Sequence, residues 1–233
     1  MEALILSIET STVPFSVTVS KNDFVLSTIE NSDRTKLASE ITLMIERCCS
    51  QANISLHEIS AIAISPGPGS YTGLRIGMSV AKGLCFALDI PLIFVSGLQS
   101  LALQAKKTYP DEVGKDALFC SALDARRNEV YMEVYDDHLD QLVPSTSVVL
   151  PFHLNTLVPD HHKRLICLGD GGEKLIDQLG SYSYVFYPIL SNSSWMAPLA
   201  FEQFKKGSFE SIETSEPFYL KPPNITTPKN RIL

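Results

Sequence analysis

The chain has 233 residues, a formal net charge of −7 and a sequence pI near 5.2. At roughly 150 residues per domain, this length allows one domain or two small lobes. A protein that holds RNA phosphates on its own surface usually carries an excess of Lys and Arg, which this acidic chain lacks. Any contact with RNA is therefore expected to run through another subunit.

The apolar segments are too short to cross a membrane. The run Pro91–Val95 is far below the roughly 20 residues of a membrane span. The N-terminus carries Glu2 before a short apolar run, which is typical of a buried strand rather than a secretory signal. The 5 cysteines are odd in number and form no CxxC pair, which favours free thiols in a reducing compartment. We therefore expect a cytoplasmic protein with no membrane segment.

The first half of the chain predicts a sheet covered by helices. Residues 3–8, 15–20 and 24–29 show the apolar runs and the alternation of strands, so they predict a three-stranded meander. Apolar residues at helical spacing predict a helix over 34–50. The elements that follow are predicted as a helical turn with a capping-box pattern, a strand, a loop, a helix, a strand and a helix: 55–58, 61–65, 66–70, 71–88, 91–96 and 97–107.

A polar stretch with Pro and Gly over 107–116 predicts a boundary between two lobes. The N-terminal lobe is then 1–107 and the smaller C-terminal lobe is 108–233. The last helix and tail, about 194–233, are expected to pack back on the N-terminal lobe.

The second lobe begins with an echo of the first. An apolar strand, a carboxylate at its end, a tight turn and an alternating strand occur around Glu9 and again around Asp124, with strands at 117–123 and 129–135. This is a weak internal repeat. Two such units facing each other would place Glu9 and Asp124 on opposite walls of a cleft.

The segment SPGPGSYTGLRIG, residues 65–77, leads from a predicted strand into a helix. Backbone N–H groups at such a helix start can bind an anion. The spacing fits neither a Walker A loop nor a dinucleotide fingerprint, because Thr72 stands where each needs another residue. Pro66 and Pro68 also remove two N–H donors. A rigid connector is therefore favoured over a phosphate cradle.

The helix that follows carries small residues at every fourth position, Gly73, Gly77 and Ala81, with Gly83 nearby. A glycine in a helix interior costs about 1 kcal/mol relative to alanine, so another backbone is expected to approach closely. Packing against the chain's own sheet and a seam with another subunit both satisfy this requirement, and both interpretations stay open.

No group of His, Cys and carboxylate residues has the spacing of metal ligands. The tandem pair His161-His162 lies in a polar segment, where neighbouring side chains point apart and solvation is the expected role. There is no GxSxG nucleophile motif. Gly169–Lys174 follows an apolar run and precedes an apparent helix, so it predicts either a nucleotide contact or a tight turn between strand and helix.

The segments ILSIETST, SPGPGSYTGLRIG, LDARRNEVYMEVY and EPFYLK occur in this order between residue 2 and about 221. Together they resemble the TsaB (YeaZ) family. The resemblance implies an α/β protein with the actin-like (ASKHA) fold, built from two ribonuclease H-like lobes. It also implies a role in forming threonylcarbamoyladenosine at position 37 of tRNAs that read ANN codons.

In that pathway the TsaD subunit transfers the threonylcarbamoyl group with a metal that two histidines hold. The corresponding helix of this chain, DRTKLASEITLMIERC, contains no histidine. The resemblance therefore implies a partner or activator of TsaD with no catalytic residue and no metal site of its own.

The resemblance also implies where partners bind. The family's seams, with TsaD or with a second copy in a homodimer, are formed by the helices that correspond to Arg34–Cys49 and Tyr71–Leu88. TsaE, an ATPase, is the family's third partner, and tRNA is reached only through the complex. The predicted interface residues are Leu37, Ile41, Tyr71, Gly73, Leu74, Gly77, Val80, Ala81 and Leu84.

No cofactor is expected to be required, although an adenine nucleotide with magnesium at a subunit interface stays open. The residues predicted for such a weak nucleotide site are Glu9, Thr10, Ser11, Thr12, Asp124 and Gly171. The alternative function is a free-standing ATP-dependent phosphotransferase of the same fold. A metalloprotease is disfavoured because the ligand spacing is missing.

Overall fold

The computed structural model describes residues 2–113, 116–158 and 164–222. It contains two five-stranded sheets, and the first has the strand order β3-β2-β1-β4-β5. Strand β1 pairs antiparallel with β2 and parallel with β4, and β2 pairs antiparallel with β3. The strands of this sheet are β1 (Leu4–Glu9), β2 (Phe15–Lys21), β3 (Phe24–Asn31), β4 (Ala61–Ile64) and β5 (Leu92–Phe94).

Two long helices, α1 (Leu37–Gln51) and α2 (Tyr71–Leu88), cover one face of this sheet. The buried residues of α1 fall on one face at the spacing that the sequence predicted. The helix begins later than expected, because Arg34–Lys36 form a 3-10 turn whose first N–H groups are capped by Asp33. The predicted turn at Leu56–Glu58 is confirmed, with a capping box between Ser55 and Glu58.

The second sheet repeats the topology of the first, with the order β10-β9-β6-β7-β8. Strand β6 pairs antiparallel with β7 and parallel with β9, just as β1 pairs with β2 and β4. One face is covered by a short helix, α5 (Gly172–Leu175), and by the segment around Leu154. The strands are β6 (Leu118–Asp124), β7 (Glu129–Tyr135), β8 (Gln141–Val149), β9 (Leu165–Leu168) and β10 (Tyr184–Tyr187).

Each sheet is completed by a helix from the other half of the chain. Helix α3 (Gly97–Thr108) and the short α4 (Pro110–Val113) pack on the second sheet, although α3 precedes the predicted boundary at 107/108. Helix α6 (Ala197–Lys206) packs on the first sheet through Met196 and Ala200. The two lobes therefore exchange helices and share their cores.

The repeated sheet topology confirms the expected fold. Two sheets of the order 3-2-1-4-5 are two ribonuclease H-like lobes, and together they form the actin-like α/β fold. Across the ranges that the structure describes, no helix has both the length and the apolar character needed to cross a membrane.

A buried carboxylate ties the two lobes together. Glu133 on β7 is 2% exposed and accepts hydrogen bonds from Ser96 Oγ at 2.9 Å, from Tyr135 and from Ser145. Ser96 follows β5 of the first sheet and caps α3, where its Oγ accepts the N–H of Gln99 at 3.2 Å. Burial raises the pKa of Glu133 above its ordinary value of 4.5, and the hydrogen bonds counteract only part of that rise.

We predict that Glu133→Gln stabilises the protein at pH 7 by about 1 kcal/mol, because it removes a buried charge. The amide oxygen still accepts from a hydroxyl, and a hydroxyl on the other side can turn to accept from the amide N–H. The folded state binds the proton more tightly, so Glu133 makes the free energy of unfolding fall as pH rises from 4.5 through the raised pKa. Thermal melts between pH 4 and 8 should show a flatter profile for Glu133→Gln. The exposed Glu210→Gln is the control, and an equal effect of both substitutions would contradict the explanation.

Candidate functional site

The carboxylate at the end of β1 is buried inside the first lobe. Glu9 is 0% exposed. Its Oε1 accepts the N–H of Ser11 at 2.7 Å and its Oε2 accepts the hydroxyl of Ser191 at 2.8 Å. A Cβ at Gly97 would lie 2.7 Å from Oε2, so the start of α3 also closes over this side chain. Glu9 therefore makes its hydrogen bonds within the chain and does not face an open cleft.

The turn between β1 and β2 is covered by the loop before α2. Ser70 N–H donates to Ser11 O at 2.7 Å, and a Cβ at Gly69 would lie 2.5 Å from the same oxygen. Thr10 and Ser11 are 1% and 2% exposed. A bound phosphate would need the space that this loop fills. The loop 66–70 is thus the rigid connector that the sequence analysis favoured.

The residues present do not fit a magnesium nucleotide at this position. Both oxygens of Glu9 are engaged within the chain, and no open space adjoins Oε2 on the side of Gly97. Hydroxyl groups nearby lack hydrogen-bond partners in the described structure, among them those of Ser7, Thr10 and Ser65. Glu9, Thr10 and Ser11 are covered by the chain itself in this structure, and their role in a nucleotide site stays a prediction.

The corresponding carboxylate of the second lobe is partly exposed but paired. Asp124 forms a salt bridge of 2.5 Å with Lys174 and accepts the N–H of Arg126 at 2.6 Å. Its own N–H donates to Asp170 Oδ1 at 3.0 Å. Burial, together with the charge of Asp124, raises the pKa of Asp170. The carboxylate thus has a partner within the chain and holds the turn that follows β6.

Gly171 is required by packing. Its N–H donates to Ala122 O at 3.1 Å, and a Cβ would lie 2.5 Å from the carbonyl carbon of Leu123. The structure shows the tight turn between strand and helix at this position, and the nucleotide contact at Gly171 stays a prediction. Thr12, the remaining predicted residue, is half-buried, and its hydroxyl has no partner in the described structure.

A cavity of about 310 Å³ does lie between the two lobes, and we call it the inter-lobe cavity. None of the six residues predicted for nucleotide binding lines it. The loop before α2 forms one wall, the turn after β6 forms another, and the segment 218–222 forms a third. The lining residues are Arg34, Pro68, Gly69, Ser70, Tyr71, Thr72, Ala125, Arg126, Tyr131, Phe218, Tyr219, Leu220, Lys221 and Pro222.

The small-residue stripe of α2 faces the chain's own core. A Cβ at Gly73 would lie 2.1 Å from the carbonyl oxygen of Thr10, and one at Gly77 would lie 2.2 Å from Thr10 Oγ1. Ala81 is 0% exposed. Packing against the turn after β1 therefore accounts for the small residues of this stripe, and a seam with another subunit stays a prediction.

Other predicted interface residues are buried as well. Leu37, Ile41 and Leu74 are 5%, 1% and 1% exposed, so in the isolated chain they pack against its own residues. Tyr71 lies in the inter-lobe cavity, with its ring 4.6 Å from that of Tyr219. Of the nine predicted interface residues, Val80 and Leu84 remain partly accessible on the outer side of α2.

These two residues line a groove between α1 and α2, which we call the α1–α2 groove. It has a volume of about 580 Å³ and mostly apolar walls. The same helices also expose Leu43 at 42% and Phe86 at 84%. A Cβ at Gly83 would meet no heavy atom of the described residues within 4 Å. The groove is lined by Thr42, Ile45, Glu46, Cys49, Ser50, Ile54, Leu56, Val80, Gly83 and Leu84.

The sequence contained a signal for this groove. Val80, Gly83 and Leu84 follow the i, i+3, i+4 spacing of one helix face, beside the face that carries Gly77 and Ala81. A helix that is apolar on two faces buries one and leaves the other for a neighbour. Spacing alone could not tell which face turned inward.

Within the described ranges, no three His, Cys, Asp or Glu side chains come together in a way that could hold a metal ion. His161 and His162 lie outside those ranges.

Comparisons with known proteins agree on one family. The family model TsaD, tRNA N6-adenosine threonylcarbamoyltransferase, matches residues 25–147. The tRNA threonylcarbamoyladenosine biosynthesis protein TsaB of Bacillus subtilis (strain 168) is 31% identical over 156 residues, covering 66% of this chain and 65% of the relative. TsaB of Buchnera aphidicola subsp. Schizaphis graminum is 31% identical over 179 residues, covering 75% and 82%.

The solved structure of YeaZ from Pseudomonas aeruginosa resembles the whole chain. Its TM-score is 0.80 at 26% sequence identity, and the match covers 94% of this chain and 100% of that one. The match with the Bacillus relative, by contrast, spans just under two thirds of that relative's length.

Two glycines of α2 provide a matched test of which helix face is buried. We predict that Gly73→Ala destabilises the chain by about 2 kcal/mol or more, because the new Cβ meets a backbone oxygen that cannot move freely. Gly83→Ala should stabilise it by about 1 kcal/mol, because the helix gains propensity and the space is open. Urea denaturation measures both, and equal stability of the two variants would contradict the assignment of faces.

Proposed function

The chain belongs to the TsaB (YeaZ) family of tRNA threonylcarbamoyladenosine biosynthesis proteins, and from this we propose that it is a non-catalytic partner and activator of TsaD. TsaD transfers the threonylcarbamoyl group to adenosine 37 of tRNAs that read ANN codons. This chain docks on TsaD and supports that transfer without performing chemistry itself. The observation that carries the proposal is the exposed α1–α2 groove. The turn between β1 and β2, by contrast, is covered by the loop 66–70.

The state of the cleft argues against the alternative of a free-standing phosphotransferase. Such an enzyme needs an accessible carboxylate beside the acceptor and firm contacts to the nucleotide phosphates. Glu9 is buried with both oxygens engaged, and Asp124 is paired with Lys174. The carboxylates of Glu9 and Asp124 are therefore both engaged by other groups of this chain.

The groove supports a helix of a partner as its occupant. Its walls are faces of the two helices with apolar residues such as Val80 and Leu84, and Phe86 of α2 is 84% exposed. An interior glycine costs about 1 kcal/mol, and no contact within the described chain offsets that cost at Gly83. Close approach of another backbone would offset it. We take TsaD as the partner because residues 25–147, which include both helices, resemble TsaD itself. Two chains that are similar in this region can pair through their equivalent helices.

The further partners follow from the same proposal. In the absence of TsaD, a second copy of this chain fills the groove and forms a homodimer. TsaE joins the complex, and tRNA is bound through the other subunits because this chain carries a net charge of −7. The protein requires no cofactor of its own for this role, and it acts in the cytoplasm, where tRNA is modified.

The role in modification is tested by omission. TsaC is the enzyme of this pathway that makes threonylcarbamoyl-adenylate. We predict that a reaction reconstituted from TsaC, TsaD, TsaE, threonine, bicarbonate, ATP and tRNA loses most of its threonylcarbamoyladenosine product without this chain and regains it on addition. Mass spectrometry of digested tRNA measures the product. Undiminished modification without the chain would overturn the proposal, and activity of the chain without TsaD would overturn its non-catalytic part.

The position of the interface is tested at Gly83. We predict that Gly83→Arg weakens binding to TsaD at least about tenfold, because a long charged side chain fills the groove while the isolated fold has room for it. Ser79→Arg is the matched control, since Ser79 is exposed on the same helix and does not line the groove. Size-exclusion chromatography and calorimetry measure the pairing, and normal pairing of Gly83→Arg would place the interface elsewhere.

A further inference from the structure

The hairpin turn between β6 and β7 carries two arginines in a backbone conformation that arginine rarely adopts. Arg126 and Arg127 have φ angles of 67° and 54°. A positive φ is sterically unfavourable for an L-residue, and glycine, asparagine and aspartate are the residues that usually occupy such positions. The turn between β2 and β3 follows this rule, with Asn22 at a φ of 57°. Two arginines in succession therefore need a reason beyond the formation of the turn.

The backbone of this turn is fixed by its surroundings. Asp124 Oδ1 accepts the N–H of Arg126 at 2.6 Å, and Lys174 Nζ donates to Arg127 O at 2.8 Å. The N–H of Leu150 donates to the carbonyl oxygen of the residue that follows, at 2.7 Å. A strained backbone persists when the structure around it holds it in several places. The turn thus presents its two arginines from fixed backbone positions.

The guanidinium groups take no part in this support. Both arginines are exposed, and in the part of the chain that the structure describes neither side chain forms a salt bridge. The lysines beside the turn are paired, by contrast, Lys174 with Asp124 and Lys221 with Glu129. The fold therefore maintains a strained turn without using the two charges that the turn presents.

A third arginine adds to the positive charge from the first lobe. Arg34 lines the inter-lobe cavity together with Arg126. The pKa of the Arg34 guanidinium is lowered by burial and, to a smaller extent, by the positive charge of Arg126. Among the described residues, no Asp or Glu lines this cavity. The surface around the turn is therefore positive, although the whole chain has a net charge of −7.

A polyanion fits this surface better than a small anion does. The two arginines lie on an exposed turn, where a single bound ion would stay in contact with water and be held weakly. A nucleic acid gains from each cation along its path, because every phosphate contact releases a counter-ion. Arginine also suits phosphate because its guanidinium donates two parallel hydrogen bonds. RNA is the polyanion that the proposed role brings to this chain.

We propose that Arg126 and Arg127 contact the phosphate backbone of tRNA when this chain is bound to TsaD. The inference rests on the proposed function, because the complex brings the tRNA to this chain. The other subunits still hold most of the tRNA, in keeping with the net charge of −7, and the turn adds a local contact. A contact to phosphates reads no base, so it strengthens the binding of different tRNAs equally.

Replacing the two arginines by Asn-Gly tests the contact while preserving the turn. Arg126→Asn with Arg127→Gly removes both charges and introduces the residues that hairpin turns prefer at positive φ. We expect this double variant to melt at an equal or higher temperature and to pair normally with TsaD. The complex of this double variant with TsaD and TsaE should bind tRNA about tenfold more weakly, because charge-assisted hydrogen bonds are lost.

Fluorescence anisotropy with labelled tRNA, at several KCl concentrations, measures this affinity. The slope of log K against log[KCl] should become shallower by about 1 for each phosphate contact that is lost. Lys107→Ala with Lys206→Ala is the matched control. Both lysines are exposed on other helices, and their removal changes the net charge by the same amount.

Each outcome decides the inference. Unchanged affinity and salt dependence in a complex that still forms would overturn it and leave the proposed function intact. Equal weakening by the lysine control would also overturn it, because the effect would then come from net charge alone. Loss of pairing with TsaD in the Asn-Gly variant would instead assign the turn to an acidic surface of a protein partner. Failure of the unaltered chain to pair with TsaD would overturn the proposed function and this inference with it.

Discussion

The contact on which the rest of the structure depends is the one between Thr10 and the small face of α2. The carbonyl oxygen of Thr10 lies so close to Gly73 that a Cβ there would approach within 2.1 Å. This contact presses the helix against the turn after β1 and brings Ser70 within hydrogen-bonding distance of Ser11. It therefore closes the place where an actin-like fold would otherwise be open.

The two lobes repeat in topology but differ in chemistry at equivalent positions. The turn after β1 is covered, and Glu9 is satisfied by groups inside the lobe. The turn after β6 stays at the surface, where Asp124 pairs with Lys174 and the adjacent Arg126 and Arg127 adopt positive φ angles. An L-residue in that conformation is strained, and two in succession need support from their surroundings. The repeat thus supplies a common scaffold, and the turns give each lobe a different surface.

The fold could be predicted from the sequence because its signals are local and repeated. The alternation in β2 and β7, the apolar face of α1 and the echo around Asp124 all depend on spacing, which the chain displays directly. The site could not be predicted in the same way. A spacing of four residues showed that Gly73 and Gly77 need close approach of a backbone, but it could not show that the backbone is that of Thr10.

The cavity was missed for a related reason. Arg34, Arg126 and Lys221 are far apart in the sequence, and the chain as a whole has a net charge of −7. Only the fold shows that these three cationic side chains line the same cavity. In the same way, a carboxylate at a strand end indicates a ligand or a structural bond equally well until its partners are known. For Glu9 those partners include Ser191, which no local pattern connects to β1.

The segment that follows α6 explains how the closed cleft and the inter-lobe cavity coexist. It runs along α2, where Lys82 Nζ donates to Ser215 O at 2.9 Å, and Phe218 N–H then donates to Pro66 O at 2.7 Å. Lys221 finally reaches the second lobe at Ala125 O. One extended segment thus contacts α2, the loop 66–70 and the second lobe in turn, and it joins the two lobes. Ser215 and Phe218 are held through their backbone, whereas Tyr219 and Lys221 bind through their side chains and also line the cavity.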